Sequence, residues 1–536
     1  MKTRTFILSL VAAAFAVTAV AQNSDVVVRD KLTSAVMKVY DDHLAQNPND
    51  YNTLFARAHQ HYYNGNYTAA LADVNQALLL TPKTDKELRF DEYILRARIS
   101  DARQDFVSEL ADLRLAQELE PKSLACTDML AKANFKSGNL DAAEKSFKAI
   151  LRAEPMNYDA MYGLAKVETQ RGNNKAALDY VNKAAELFRA EPQVLVNRAD
   201  IYARQGNMDA AVQNLLDGMT VGDGGNSVQA LFDLSDTNYD GVMNALALKA
   251  DATNNSVESG ICRFLRANIA MDHTCYAQAL RDLQTIKRGN LYNSPTVDYN
   301  MGKCCLELGR FDEAVTHVDD ALAVEGTHPE YFVTKALAQY YAGDGGNFDD
   351  AMETLKQCTA IAPQYVPMLL AKASMFAAKG RDQDALGYLN AAVASEPDNA
   401  EALMARGLLL KKMDNLKLAV NDFNIVARLS DDLYDLKGFG LSELGRDNDA
   451  FKWLHKITSS NFAGGEGLYY AALLMAQRGD SFKAMEYLQK ALESGYGSLF
   501  NLKYNDLSPL NFKSLSNESS FPLLIEKAQR NFVEHY

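Results

Sequence analysis

Residues 138–155 read GNLDAAEKSFKAILRAEP, and residues 65–82 read GNYTAALADVNQALLLTP. Both open on Gly-Asn, place an Ala a few residues on, set a large apolar side chain four positions after it, and close on Pro. The parts recur at one spacing. Gly138, Gly172 and Gly206 lie 34 residues apart, as do Ala143, Ala177 and Ala211. Downstream, Ala351, Ala385 and Ala419 repeat at 34, and so do Ala450 and Ala484. Pro121 and Pro155 keep the same interval, as do Pro363 and Pro397. Independent residue types sharing one period of this length indicate a repeat architecture. Each unit reads as two helices. The Gly suits the left-handed end of the first helix, and the Pro stops the second, because it cannot continue a helix. Small residues sit where helices touch, and large ones fill the gaps between neighbours.

YGLAKVETQRGNNKAALDYVNKAAEL (162–187) and YNMGKCCLELGRFDEAVTHVDDALAV (299–324) carry the pattern most fully. They resemble the tetratricopeptide repeat. Ala165 and Gly302 take its first small position, Gly172 and Gly309 its loop, Ala177 and Ala314 its second small position, and Ala184 and Ala321 its third. The family's first-position Trp is replaced by apolar residues or lost. The resemblance covers about 51–495 and implies an all-α chain, an α-solenoid wound as a right-handed superhelix of about 13 helix-turn-helix repeats. Units begin near 51, 90, 124, 158, 192, 260, 295, 330, 366, 400, 431 and 465, with a divergent one at 224–259 after Gly222-Asp223-Gly224-Gly225. That segment is either an irregular helical pair or a hinge between an N-terminal array (51–223) and a C-terminal array (260–495). Terminal units must cover the apolar ends of such a stack. KLTSAVMKVYDDHLAQNP (31–48), within a 22–50 cap, reads as a lone second helix, and 496–536 as a closing cap of short turns and an amphipathic helix.

The first residues, MKTRTFILSLVAAAFAVTAVAQN, combine Lys2 and Arg4, an apolar run from Phe6 to Val17, and Ala19-Val20-Ala21 before Gln22. This is the grammar of a secretory signal peptide over 1–21, and it lacks the cysteine of a bacterial lipoprotein. Similar repeat proteins exported by Gram-negative bacteria point to the periplasm, an outer-membrane-associated position or secretion. No later stretch offers ~18 consecutive apolar residues, so no transmembrane segment is expected in the mature chain. The 48% hydrophobic and 23% charged composition suits a folded chain, and the formal charge of −14 disfavours nucleic-acid partners. Export permits disulfides among Cys126, Cys262, Cys275, Cys304, Cys305 and Cys358. One bridge among Cys262, Cys275 and the 304–305 pair is open, and Cys304-Cys305 read as core-facing thiols.

A search for chemistry returns little. The eight histidines form no H-E-x-x-H, and no C-x-x-C, P-loop, G-x-G-x-x-G or G-x-S-x-G occurs. Asp236-Thr-Asn238-Tyr-Asp240-Gly241 matches the first half of a calcium loop, but the bidentate Glu expected at its twelfth position is Ala247. It therefore reads as an inter-helix turn, and Asp344 to Asp350 as an acidic loop that starts a helix. No cofactor, metal or catalytic residue is expected. In repeats of this kind the first helices line the concave surface, which makes Tyr62, Tyr63, Tyr162, Lys166, Tyr299, Lys303, Tyr331, Tyr340 and Tyr341 the candidate protein contacts. Tyr supplies apolar area with a hydrogen-bonding tip. The Lys–Asn carboxylate clamp of some chaperone-binding relatives is not found. The expectation is an exported, non-catalytic scaffold for peptide or protein partners. The alternatives are a subunit of an envelope assembly or secretion complex, or an exported metal-binding protein or enzyme whose site would lie in 224–259.

Overall fold

The computed structural model describes residues 36–188, 191–221, 224–342, 347–429, 436–459, 465–504, 507–516 and 518–534. The signal-like residues 1–21, Lys31 to Ser34 of the cap, Gly222-Asp223 and Asp344 to Gly346 lie outside these ranges.

Among the described residues the fold is all-α, with no strand. Thirteen helix pairs follow one another, from Tyr51–Tyr63 with Tyr67–Leu80 to Glu466–Gln477 with Ser481–Glu493. The first helix of each pair is called A and the second B. Each pair begins near a start read from the periodicity, the divergent unit included, as Gly225–Thr237 with Tyr239–Ala252. Two compact units are present, one ending at Leu231 and one starting at Phe232.

The A–B turns depend on one left-handed residue. It is glycine at Gly65, Gly138, Gly172, Gly206, Gly309, Gly380, Gly445 and Gly479, but Gln104, Thr274 and Asp414 hold φ of 59° to 61° at the same place. Only glycine lacks a Cβ penalty there, so these three are strained, Thr274 most because it is β-branched. In the divergent pair Asn238 alone joins the two helices at φ −151°, its side chain accepting from the Gly241 N–H. The calcium-like stretch is thus an inter-helix turn, with Tyr239 to Ala247 wound into helix B. Proline has two roles. Pro82, Pro121, Pro155, Pro363 and Pro397 follow B helices, whereas Pro192, Pro295 and Pro329 open A helices, where their missing N–H costs nothing.

The small–large pattern is the core. Ala70, Ala143, Ala177, Ala279, Ala314, Ala351, Ala385 and Ala484 are fully buried, and Val74, Phe147, Val181, Leu283, Val318, Leu355, Leu389 and Leu488, four residues later, are buried beside them. At Gly407 and Gly302 even a methyl group would lie 2.5 Å from Phe423 and Val318 respectively, so the packing admits no side chain.

A second repeating element is polar. Arg57, Arg96, Arg266 and Arg406 on A helices each grip, through two hydrogen bonds, the Asp sixteen residues on in the paired B helix: Asp73, Asp112, Asp282 and Asp422. Arg198 makes the equivalent contact to Asn214. The same guanidinium reaches the preceding B helix, at Asn75 from Arg96, Asn182 from Arg198 and Asn390 from Arg406. Arg57 makes that contact with Asp41, 2.7 Å away, on the 36–46 helix. The 36–46 helix therefore makes with the first pair the contact that a B helix makes with the pair after it.

The six cysteines are free thiols, so the bridge left open by the sequence is not formed; Cys304 and Cys305 are fully buried. No described helix is long and apolar enough to cross a membrane.

Candidate interaction surface

Successive A helices touch through polar and aromatic side chains about one repeat apart, and the candidate contacts divide on how far those contacts consume them. In the first unit, Tyr63 is exposed and Tyr62 half-buried. Tyr62 packs against Tyr63 and Tyr67, and Tyr63 stacks on His59, which gives an aromatic patch at the end of the first A helix. Burial lowers the His59 pKa, with Arg98 adding to it and Asp91 opposing.

Three A helices further along build a second patch. Tyr162 donates to Asp200, 2.7 Å away on the next A helix, and Asp200 also holds Arg204. The Lys166 ammonium sits 5.2 Å from the rings of both Phe135 and Tyr162. Burial pushes the Lys166 pKa down while Asp200 opposes it, and burial pushes the Tyr162 phenol up, with Asp200 adding to it. A cation held between aromatic faces beside an ion pair can meet a partner's carboxylates or aromatic rings.

In the second unit the candidates are more consumed. Tyr299 and Tyr331 are buried and stacked on each other at 4.3 Å, and His328 also stacks on Tyr331 at 4.9 Å. The expectation that both are presented to a ligand is corrected: repeat-to-repeat stacking removes them from the surface. Lys303 remains half-buried beside Glu307, and Tyr340 half-buried against Tyr341.

Tyr341 meets the chain's own C-terminal segment. Its ring stacks on Phe311 and meets Phe500 edge-on, and its hydroxyl accepts from the Leu507 N–H at 3.4 Å. Upstream in that segment, the Gly497 N–H donates to Thr274 Oγ1 and Ser498 donates to Glu307 at 2.5 Å. Tyr504 lies edge-on to Phe311 and against Gly309, where a Cβ would come within 2.8 Å of its ring. Thr274, Gly309 and Tyr341 mark the A–B ends of three successive repeats. Residues 497–504, and Leu507 beyond them, therefore lie along the turn edge of those repeats, with a π-helical turn at Phe500–Tyr504, before the Lys513–Leu515 turn and the Ser520–Glu534 helix. Periodicity carries no sign of this seat, although the apolar spacing of Tyr496, Leu499, Phe500 and Leu502 shows that the segment has a side to bury.

Near that segment, Asp272, Glu307 and Glu466 converge. Burial raises Glu466 to about 7, with Asp272 and Glu307 adding repulsion. His273 is buried, 3.7 Å from Asp236 and 3.2 Å from the Ser235 hydroxyl. Ser and Asp share one ring nitrogen here, so the group is not a relay of the Ser-His-Asp kind, in which they take opposite nitrogens.

Family profiles described as tetratricopeptide repeat match residues 129–193, 172–220 and 264–329, and a second such profile matches 344–409. These segments are tetratricopeptide repeats. Among curated proteins, the BBSome complex member BBS4 of Bos taurus is 22% identical over 129 residues, 24% of each chain, so the match spans about a quarter of that relative's length. Among solved structures, a tetratricopeptide repeat protein from Parabacteroides merdae is 18% identical, with 47% of this chain and 99% of that one covered and a TM-score of 0.25. A structure of Naa15/Naa10 bound to HypK-THB is 15% identical over 99% of this chain and 94% of that one, with a TM-score of 0.34.

Proposed function

We propose that this chain is an exported, non-catalytic scaffold whose tetratricopeptide repeats dock a protein or peptide partner. The observation that carries the reading is the seat of residues 497–504 and Leu507. Repeat edges here hold a peptide segment through side-chain bonds to its backbone N–H groups, at Thr274 and Tyr341, and through aromatic pockets for its side chains. Backbone bonds supply affinity and pockets supply selectivity. The second unit spends this capacity on its own tail, so the first unit is assigned the partner, through Tyr62, Tyr63, Tyr162 and Lys166. Export rests on the 1–21 reading, and an envelope position follows from it.

Two measurements test this. Affinity capture of the tagged chain from native cell envelopes should retain one or two proteins in stoichiometric amount, and Tyr63→Ala with Lys166→Ala should release them. Retention unchanged by both substitutions refutes the assignment of the surface, and an empty bait refutes the scaffold. N-terminal sequencing of the envelope-derived protein should begin at Gln22; an intact Met1 refutes export by cleavage.

A further inference from the structure

Three metal-binding side chains meet in the eighth helix pair, Pro295–Glu307 with Phe311–Val324. Glu313 and His317 lie four apart on helix B, hence on one face of it. Cys305 reaches them from helix A, and one ligand atom from each of the three lies within 4.8 Å of the other two. Around a tetrahedral zinc, bond lengths of 2.0–2.3 Å set ligand atoms about 3.5 Å apart. Side-chain rotations of about 1 Å close that difference.

Two of the donors are unsatisfied. His317 Nδ1 is buried with no hydrogen-bond partner among the described residues. The Cys126, Cys275 and Cys358 thiols each donate to a backbone carbonyl; Cys262, Cys304 and Cys305 make no such bond among the described residues, and of these only Cys305 faces other metal-ligating side chains. Buried polar groups in native proteins are generally paired, and an orphan asks for a cause such as an ion. Glu313 is exposed, which opens the group to solvent, and both of its oxygens accept from Arg310, at 2.7 and 2.5 Å, each with a lone pair to spare. A second donor set, Asp298, His317 and Asp320, adjoins it. There Lys287 bonds both carboxylates, at 2.5 and 2.9 Å, and supplies the positive charge itself. It leaves carboxylates beside the imidazole, the usual outer support of a metal-bound histidine.

We infer that Cys305, Glu313 and His317 form a site for a divalent transition metal, zinc by preference. Thiolate, imidazole and carboxylate together suit zinc and exclude magnesium or calcium, and three protein ligands leave a fourth position for water or a partner's side chain. Binding replaces the Cys305 S–H bond with a sulfur–metal bond and releases that proton to solvent. Thiolate and imidazole must both be deprotonated to bind, so affinity rises with pH. The metal ties the two helices of one repeat together.

The test is titration of the reduced, chelator-treated full-length chain with cobalt(II), a spectroscopic substitute for zinc. One equivalent should produce a thiolate-to-cobalt charge-transfer band with tetrahedral d–d absorption, and zinc should erase both. Cys305→Ser should abolish the charge-transfer band with helix content unchanged by circular dichroism. His317→Gln should weaken cobalt binding by more than ~10–100-fold, the range for losing an outer support alone. Glu313→Gln, on the surface and safe for folding, should weaken binding and keep the band. Absence of a band at saturating cobalt overturns the site, and so does a band that survives Cys305→Ser.

Discussion

The Arg–Asp pairs between helices A and B offer the sharpest test of how the repeats hold together. Arg406 Nε and Nη2 donate to Asp422 at 2.8 and 2.6 Å, and Nη1 donates to Asn390 at 3.2 Å. The side chains are 19% and 3% exposed. At ~4 Å between charge centres and an effective dielectric of ~20, the attraction is about 4 kcal/mol, most of it offset by the desolvation of both ions. The pair therefore adds little net stability, but removing one partner strands the other charge and costs about 3–5 kcal/mol. Asp422→Ala should show that loss. Asp422→Asn keeps an acceptor, as Asn214 does opposite Arg198, and should cost about 1–2 kcal/mol. Arg406→Met with Asp422→Leu removes both charges and should fall within ~2 kcal/mol of the parent. Repeat stacks open locally, so the assay is native-state hydrogen exchange read over 400–426. Asp422→Ala should raise local opening by about two to three and a half orders of magnitude, at 1.4 kcal/mol per tenfold. The surface control is Glu353→Ala, whose partner Lys356 is 77% exposed, and it should change opening by less than ~5-fold. If Asp422→Ala behaves like that control, or the double variant is as unstable as the single one, the reasoning fails.

Other outcomes follow from the same packing. Gln104→Gly relieves a left-handed side chain and should stabilise its repeat by up to ~1 kcal/mol in urea unfolding; a loss of stability refutes the strain. Glu109 is buried with one oxygen unpaired among the described residues, and burial raises its pKa to about 7, with Asp101 adding and Lys136 opposing. A carboxyl raised on folding binds more protons in the native state, so its contribution is complete below about 4.5 and falls as pH climbs to about 7. Glu109→Gln should flatten that interval by up to ~1.4 kcal/mol per pH unit, and an unchanged slope refutes it. Phe500→Ala should cost about 3–5 kcal/mol in the second unit and expose the Gly497 and Leu507 amides to exchange; full protection of those amides would show that the segment's seat does not depend on its aromatic pocket.

The helix pairs are legible in the sequence, and for a physical reason. In a stack each unit touches its neighbours, so the contacts that bury Ala143 under Phe147 recur at every step and print a period on the chain. Even the N-terminal helix is a B helix by its register, sixteen residues between Asp41 and Arg57 matching that between Asn390 and Arg406. The interval of sixteen from Arg to Asp was equally available in the residues and marks the ionic element. What the tertiary structure alone decided are contacts that do not repeat. Tyr299 and Tyr63 were both candidate contacts in sequence, but stacking on Tyr331 buries one while the other stays exposed. Gly497 and Thr274, 223 residues apart, meet because the tail returns along the turn edge. Cys305 and His317 sit on two helices whose pairing sets the distance between them. Such meetings occur once, and a contact made once leaves no period to read.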